Sequence, residues 1–263
     1  MTELLSPSNW LPPILERALR RISPRALRLA GPYPDWSAAS RAASGYDAEA
    51  ILERIASAQR AVRNGEACYE RDGVLFDTPD FEFSLVALLQ RAAADNRGKL
   101  TVLDFGGSLG TSYIRNRALL DNINTLLWQV VELGKREFED RALKFEDSIA
   151  ECQPPDVVLL RSVLQYLPEP HALVEELATL SPTWIFVDRT PFTRSGEEAV
   201  MLQKVPAKVY RASYPAWVLS WDKLCAQLAT HYSLVCEIPS AENDAGSGRF
   251  RADYRGGIFR RQA

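Results

Sequence analysis

From residue 99 onward, short apolar runs alternate with segments of helical periodicity. We predict strands at residues 100–105, 126–133, 142–145, 156–160, 184–188, 234–238 and 257–260. We predict helices between them at residues 111–120, 170–180 and 221–231. Near-continuous apolar strands separated by helices are typical of a parallel sheet that is covered on both faces. The pattern therefore predicts an α/β fold with a doubly wound, Rossmann-like sheet.

Residues 1–98 have a different pattern, which predicts a mostly helical N-terminal extension, with the Rossmann-like domain at 99–263. A basic helix is expected at 14–29. A second helix follows the N-cap candidate Asp47 and ends before Gly65. A third is expected at 81–96, and we predict that four of its side chains face inward: Phe83, Val86, Leu89 and Ala93.

Composition excludes several classes of function. The formal net charge of −3 gives no reason to expect a nucleic-acid partner. The four cysteines are far apart in the sequence and there are only two histidines, so we expect neither a metal site nor a disulfide framework. No run approaches the ~18 apolar residues of a membrane-spanning helix, and prolines and arginines interrupt the N-terminus where a signal peptide would be apolar. We therefore expect a cytoplasmic protein.

The turn after the first predicted strand is rich in glycine. Its spacing, Asp104, Gly106 and Gly110, places glycines two and six positions after an acid. A dinucleotide-binding turn would need glycines where Ser108 and Thr111 stand, and a P-loop would need a lysine after Gly110. The spacing that remains is the one used by Rossmann-like enzymes that bind S-adenosylmethionine (SAM). An alternative is that these glycines serve the turn alone.

Acidic residues follow the next two predicted strands. Glu132 ends the second strand, where a carboxylate can accept hydrogen bonds from a ribose diol. Asp147 follows the third strand and is a candidate for contact with an adenine amino group, with Glu146 as an equal alternative. The predicted cofactor-binding residues from these segments are Asp104, Gly106, Gly107, Ser108, Gly110, Glu132 and Asp147.

The same turn also matches the G-x-S-x-G pattern of serine hydrolases. Ser108, Asp188 and His231 occur in the chain order of an α/β-hydrolase triad. However, such a serine follows several strands, and the chain before residue 100 has helical periodicity. The hydrolase interpretation also leaves Asp104 and Glu132 without a role.

Several motifs together resemble one protein family. VLDFGGSLGTSYIRN, VVEL, DVVLLRSVLQYLPEP, VDRTPF and YRASYPAWVLS occur in that order, and LPPIL, SGYD and YERDGVLFD precede them. The sequence resembles an orphan bacterial family of class I SAM-dependent methyltransferases, whose genes often lie among those for surface-polysaccharide synthesis. The resemblance covers nearly the whole chain and implies a class I methyltransferase fold and a SAM cofactor.

The resemblance places the first cofactor motif on Asp104, Gly106, Ser108 and Gly110, and the ribose-binding acid on Glu132. Ser108 stands where related methyltransferases usually have glycine. The segment between Glu132 and Leu143 is shorter than the helix that such folds normally carry there. The adenine side of the pocket would then depend on the N-terminal helices, or SAM binding would be weakened.

Methyl transfer mainly requires alignment and desolvation of the nucleophile and the methyl group. The residues after the fourth strand are predicted to form one wall of the cleft, with Arg161 and Ser162 near the cofactor and Gln165 and Tyr166 near the acceptor. Asp188, after the fifth strand, is the first candidate for a general base. The alternative for Asp188 is a role in capping the turn that precedes Pro191.

Two aromatic stretches, 69–72 and 210–221, would either hold an acceptor or pack the core. The leading hypothesis is a SAM-dependent methyltransferase that acts on a small-molecule or glycan acceptor. If the basic 14–29 helix lies on an anionic membrane surface, a lipid-linked glycan would be accessible; the alternative is that this helix docks on its own domain. A second hypothesis is a non-catalytic scaffold on the same fold.

Overall fold

The computed structural model describes residues 28–45, 48–132, 136–193, 195–205, 212–239 and 252–262. Within these ranges the strands are β1 (Arg28–Tyr33), β2 (Tyr69–Arg71), β3 (Val74–Phe76), β4 (Lys99–Phe105), β5 (Thr125–Val131), β6 (Leu143–Glu146), β7 (Val157–Arg161), β8 (Trp184–Thr193), β9 (Ala199–Lys204), β10 (Ser213–Val218), β11 (Tyr232–Pro239) and β12 (Ala252–Arg261). The α-helices are α1 (Trp36–Ala42), α2 (Ala48–Arg63), α3 (Phe83–Asp95), α4 (Thr111–Asn116), α5 (Pro170–Thr179) and α6 (Trp221–Leu228).

The central sheet has seven strands in the order β11-β12-β8-β7-β4-β5-β6. The five strands from β8 to β6 are parallel, and β12 is antiparallel to both of its neighbours. After β4 the chain adds β5 and β6 on one side and then crosses to place β7 on the other side. The predicted Rossmann-like α/β fold with a mostly parallel sheet is therefore confirmed. The point between β4 and β7, where the strand order reverses, is where such sheets bind ligands.

Each face of the sheet packs against its own set of helices. Alternate residues of β4 point to opposite faces, so Val102 lies in one core and Leu103 in the other. The first core also takes buried residues from α2, α3 and α4, including Ala56, Leu89 and Ile114. The second core is closed by α5 and α6. Helices α2 and α3 of the N-terminal part therefore help to cover one of the two faces of the Rossmann-like sheet.

The helix predictions for the N-terminal part are partly correct. Helix α2 ends at Arg63, two residues before Gly65, and α3 buries Val86, Leu89 and Ala93 as expected. Phe83 was expected to face inward, which is wrong: as the first residue of α3 it is 70% exposed. The N-cap candidate Asp47 and residues 14–27 of the predicted basic helix lie outside the described residues. Leu29, at the end of that predicted helix, lies in strand β1.

The sequence did not reveal the β-structure of this part. Strands β2 and β3 form a hairpin around Asp72 and Gly73, both with positive φ (54° and 74°), as a two-residue hairpin turn requires. Strand β1 pairs with β9, which also pairs with β10, in a second, antiparallel sheet. Strands of three residues are too short to show a period-two pattern, so the description of residues 1–98 as mostly helical was incomplete. Among the helices that the structure describes, none has the length and apolar character needed to span a membrane.

Candidate functional site

A cleft of about 460 Å³ opens at the carboxyl ends of β4 and β7. Its floor is the glycine-rich loop at residues 106–112. One wall is the β2–β3 hairpin with Glu82, and the opposite wall combines the end of β7 with Tyr166, Arg189 and residues of β9 and β10. The cleft therefore lies at the strand-order reversal, between the N-terminal part and the second sheet.

The glycine-rich loop is shaped by close contacts beneath it. A Cβ atom added to Gly107 would lie 2.5 Å from both Cγ and Oδ2 of Asp104, so only glycine lets the backbone pass over this carboxyl. A Cβ atom on Gly106 would lie 2.5 Å from Cγ2 of Val163. Gly110 is the N-cap of α4. The predicted glycines thus let the loop fold tightly at the floor of the cleft, directly before the start of a helix.

Asp104 lies at the end of β4 and is 1% exposed. The indole Nε1–H of Trp128 donates a 3.1 Å hydrogen bond to its Oδ2. Burial raises the pKa of Asp104 to about 7, although the positive charge of Arg161 and the bond from Trp128 act in the opposite direction. A cation bound nearby would favour the charged carboxylate. Asp104 is therefore a buried acid suited to a cationic ligand.

Glu132 directly follows β5, one position beyond Val131, which is paired with Phe105 of β4. The backbone N–H of Ser108 donates to its Oε2, so this carboxylate touches the glycine-rich loop. The side chain is exposed, yet the protein atoms around the carboxyl desolvate it and raise its pKa. The structure therefore places Asp104 beneath the loop and Glu132 at its edge.

Ser108 has φ of +53°, in the left-handed region that costs a non-glycine residue about 1–2 kcal/mol. Glycine would adopt this conformation without strain. We expect Ser108→Gly to keep SAM affinity unchanged and to raise the free energy of unfolding, because glycine relieves the strain at this φ. The gain should be at most about 1 kcal/mol, because the larger entropy that glycine loses on folding offsets part of it. Calorimetric titration with SAM and urea unfolding test this. Ser108→Ala, which keeps the strain, is the control and should not be stabilised; loss of SAM affinity in Ser108→Gly would contradict the prediction.

Arg161, at the end of β7, is buried in a charged network. Its guanidinium donates to both carboxylate oxygens of Glu82, with Nη1 to Oε2 at 2.8 Å. It also donates to Ser112 Oγ at 2.6 Å and to Asp188 Oδ2 at 3.4 Å. Glu82 in turn accepts a 3.0 Å bond from Arg115. These cations, Arg161 above all, hold the pKa of Glu82 down at about 2 despite its burial.

Of the other predicted cofactor-binding residues, Ser162 lines this cleft and Asp147 does not. Ser162 lines it, with φ of 56° and its N–H bonded to the carbonyl of Asp188 at 2.9 Å. Asp147 follows β6 and is exposed, with its N–H donating to Glu151 Oε2 at 3.4 Å. Asp147 is not among the residues that line the cleft, so its contact with adenine stays a prediction.

The three predicted catalytic residues have distinct surroundings. Tyr166 lines the cleft, and its hydroxyl exchanges hydrogen bonds with Gln203 at 3.1 and 3.3 Å. Gln165 is fully buried and donates to Ser162 Oγ at 3.1 Å. Asp188 is buried behind the wall, where it accepts the N–H of Arg189 at 2.8 Å and the guanidinium of Arg161. The role of Asp188 as a general base stays a prediction.

The structure does not support a serine-hydrolase triad. His231, the proposed base, lines a separate pocket between α5 and the end of α6. The other histidine, His171, bonds Gln227 at 2.8 Å and Glu198 at 2.7 Å. Both histidines are within the described residues, and neither lines the cleft that contains Ser108. The G-x-S-x-G match is therefore a coincidence of the loop sequence.

The short segment after Glu132 is covered by the N-terminal part. Its described residues begin with one 3₁₀ turn, Arg136–Phe138. Phe138 is buried, its carbonyl accepts from the guanidinium of Arg63, and Glu137 pairs with Arg60 at 2.8 Å. Both arginines belong to α2. Helix α2 thus packs against the short segment after Glu132. The dependence of the adenine side on the N-terminal helices stays a prediction.

Three acids line the cleft that sequence reasoning did not assign to the cofactor site: Glu70, Asp72 and Glu82. Glu70 belongs to the 69–72 stretch that was considered for acceptor binding, whereas nothing in the local sequence marks Glu82.

The two aromatic stretches considered for acceptor binding have different surroundings. In the 69–72 stretch Tyr69 is buried and stacks on Phe76 with centroids 4.7 Å apart. In the 210–221 stretch Tyr214 lines the cleft, whereas Trp217 stacks on Trp36 and Trp221 is buried. Tyr210 lies outside the described residues.

No protein-family model matches the sequence, and no curated protein matches it significantly. Solved structures with a similar fold include the N-terminal domain of EvdMO1 in the presence of S-adenosylhomocysteine (SAH) and D-fucose, at 18% identity over 83% of this chain and 98% of that one, with a TM-score of 0.46. The 1,6-didemethyltoxoflavin-N1-methyltransferase of Burkholderia thailandensis is 14% identical over 84% and 95%, with a TM-score of 0.41. N-methyltransferase NodS from Bradyrhizobium japonicum is 12% identical over 80% and 99%, with a TM-score of 0.41.

Proposed function

We propose that the protein is a SAM-dependent methyltransferase acting on a small-molecule or glycan acceptor. The observation that carries the proposal is the meeting of Asp104 and Glu132 at the glycine-rich loop. Two carboxyl groups from neighbouring parallel strands flank this loop, and the loop lies where the strand order reverses. The resemblance of the VLDFGGSLG and VVEL motifs to SAM-dependent methyltransferases supports the same conclusion.

Residues in and beside the cleft suit the charge of SAM. Asp104 is buried with a raised pKa, which a cationic ligand would reverse. Gly106 and Gly107 let the loop fold tightly against Val163 and over Asp104, so that the loop lies at the floor of the cleft. Bound SAM would supply an electrophilic methyl group. The protein would hold the ribose at Glu132 and align the methionyl half along the loop, so that proximity and desolvation lower the barrier.

The acceptor would occupy the side of the cleft formed by the second sheet. Gln203 of β9 is buried and donates to the hydroxyls of both Tyr166 and Tyr214, at 3.1 and 3.0 Å. The two phenol rings meet edge to face, with centroids 5.4 Å apart. Aromatic rings with fixed hydroxyl groups suit a polar ring such as a sugar. The glycan acceptor and the link to surface polysaccharide rest on this wall and on the sequence resemblance.

Isothermal titration with SAM and SAH tests the proposal. We expect both ligands to bind the wild-type protein, and Glu132→Ala to weaken binding by about 10- to 100-fold, since hydrogen bonds to a charged group are worth about 1.5–3 kcal/mol. Glu176→Ala, which removes an exposed glutamate on α5, is the matched control and should bind like wild type. The proposal fails if the folded wild-type protein binds neither ligand. Transfer of label from radioactive SAM into a sugar-containing product would separate an enzyme from a scaffold.

A further inference from the structure

Glu70 is a buried acid in the wall of the cleft. It lies in β2 and is 1% exposed. Its Oε1 accepts a 2.5 Å hydrogen bond from Thr111 Oγ1, and its Oε2 accepts the N–H of Gly73 at 3.0 Å. No lysine or arginine among the described residues forms an ion pair with it. Glu70 is therefore held in place by two neutral donors, without a cation.

The fold keeps this carboxylate buried at a cost in stability, because an ionised group loses its hydration there. Desolvation raises the pKa of Glu70, as it raises the pKa of Asp104 and Glu132. These three acids come from three separate elements and reach the loop from different sides: Asp104 from below, Glu132 at Ser108 and Glu70 at Thr111. Four arginines also line the cleft. Arg115 and Arg161 pair with Glu82, Arg189 lies 3.9 Å from Asp188, and Arg71 lies over the ring of Phe76.

We propose that Glu70 binds the positive charge of the methionyl half of SAM, at its α-ammonium or its sulfonium group. This inference rests on the proposed function. The adenosine half of SAM is uncharged, and only the methionyl half carries cations. Thr111 directly follows Gly110 at the start of α4, so its partner Glu70 borders the floor of the cleft. A cationic group there would supply the counter-charge that the buried carboxylate lacks.

Titrations with SAM and SAH test this contact, because SAH keeps the ammonium but has a neutral sulfur. Glu70→Gln removes the charge and nearly preserves the shape. We expect its SAM affinity to fall at least about tenfold, as for loss of a charge-assisted hydrogen bond. An equal loss for SAH assigns the contact to the ammonium, and a loss confined to SAM assigns it to the sulfonium. Asp77→Asn, on the same hairpin segment but outside the cleft lining, should bind like wild type.

Glu70→Gln with wild-type affinity for both ligands overturns the inference and leaves the proposed function standing. An equal loss of SAM affinity in Asp77→Asn also overturns the inference, since the loss would then come from the change in net charge and not from a contact with Glu70. If the wild type itself binds neither ligand, the proposed function has failed. If Glu70→Gln does not fold, Glu70→Asp replaces it: one methylene less withdraws the carboxylate, so weaker SAM binding supports the inference and unchanged binding overturns it.

Discussion

Asp104→Asn is expected to make the folded protein more stable above pH 7 and to remove most of its affinity for SAM. The wild-type carboxyl is buried under Gly107, where desolvation raises its pKa to about 7 from an ordinary 3.8. Asparagine has nearly the same shape and can still accept the bond from Trp128, but it has no charge to desolvate. The loss of a buried charge that faces a cationic ligand should weaken SAM binding roughly 30-fold or more.

The pH dependence has a definite sign. Because the pKa of Asp104 is higher in the folded state, its contribution to stability is complete below the unfolded value of 3.8 and is lost as pH rises through about 7. Ionisation over this interval lowers the free energy of unfolding of the wild type by an amount of the order of 2–4 kcal/mol. Among the charged groups that face Asp104, Arg161 reduces this cost, whereas Glu132 and Glu82 increase it.

Urea unfolding at about pH 5.5 and about pH 8, with calorimetric titration of SAM, measures both effects. The stability gain of Asp104→Asn should be larger at the higher pH. Asp121→Asn, which changes an exposed carboxyl, is the matched control and should leave SAM binding unchanged. A variant of Asp104 that is less stable than wild type at both pH values, or that binds SAM normally, would show that the buried acid has another role.

Glu82→Ala is expected to lower the free energy of unfolding by about 3–5 kcal/mol, the usual cost of leaving a buried charge without its partner. Arg161 is buried and bonds both oxygens of Glu82, while Arg115 and Asn116 bond the same carboxylate at 3.0 and 3.1 Å. Alanine leaves Arg161 with Asp188 as its remaining carboxylate partner, at 3.4 Å. The wall of the cleft would lose its anchor between the N-terminal part and β7.

Asp80→Asn is the matched control, because Asp80 pairs with the same Arg115 but is exposed. Its loss should cost at most about 1 kcal/mol, as for surface ion pairs. The pKa of Glu82 is lowered to about 2, so its contribution is present above its ordinary value of 4.5 and is lost as pH falls towards 2. Urea unfolding at about pH 7 and about pH 3 should show the penalty of Glu82→Ala shrinking in acid. Equal penalties for the Glu82 and Asp80 variants would contradict the buried-network interpretation.

The local sequence pattern was sufficient to predict most strands of the Rossmann-like sheet. Strand β4 and the loop after it were predicted within one residue, because apolar strands and glycine turns are set by neighbours in the chain. The end of β8 was harder: the strand was predicted to stop at residue 188 but continues to Thr193. Its extension pairs with β12, some 60 residues later, and no local signal reports that pairing.

The sequence by itself determined the strand–loop–helix unit, and with it the positions of Asp104 and Glu132 at neighbouring strand ends. Only the tertiary structure decided which acids complete the cleft. Glu82 meets Arg161 across 79 residues, and Glu70 meets Thr111 across 41. Such contacts depend on how α2, α3 and the hairpin pack on the sheet. The hydrophobic burial that drives this packing is non-directional, so it produces no short-range pattern in the sequence. The candidate site is therefore divided between a motif that the local sequence predicts and a wall that forms only when distant segments pack together.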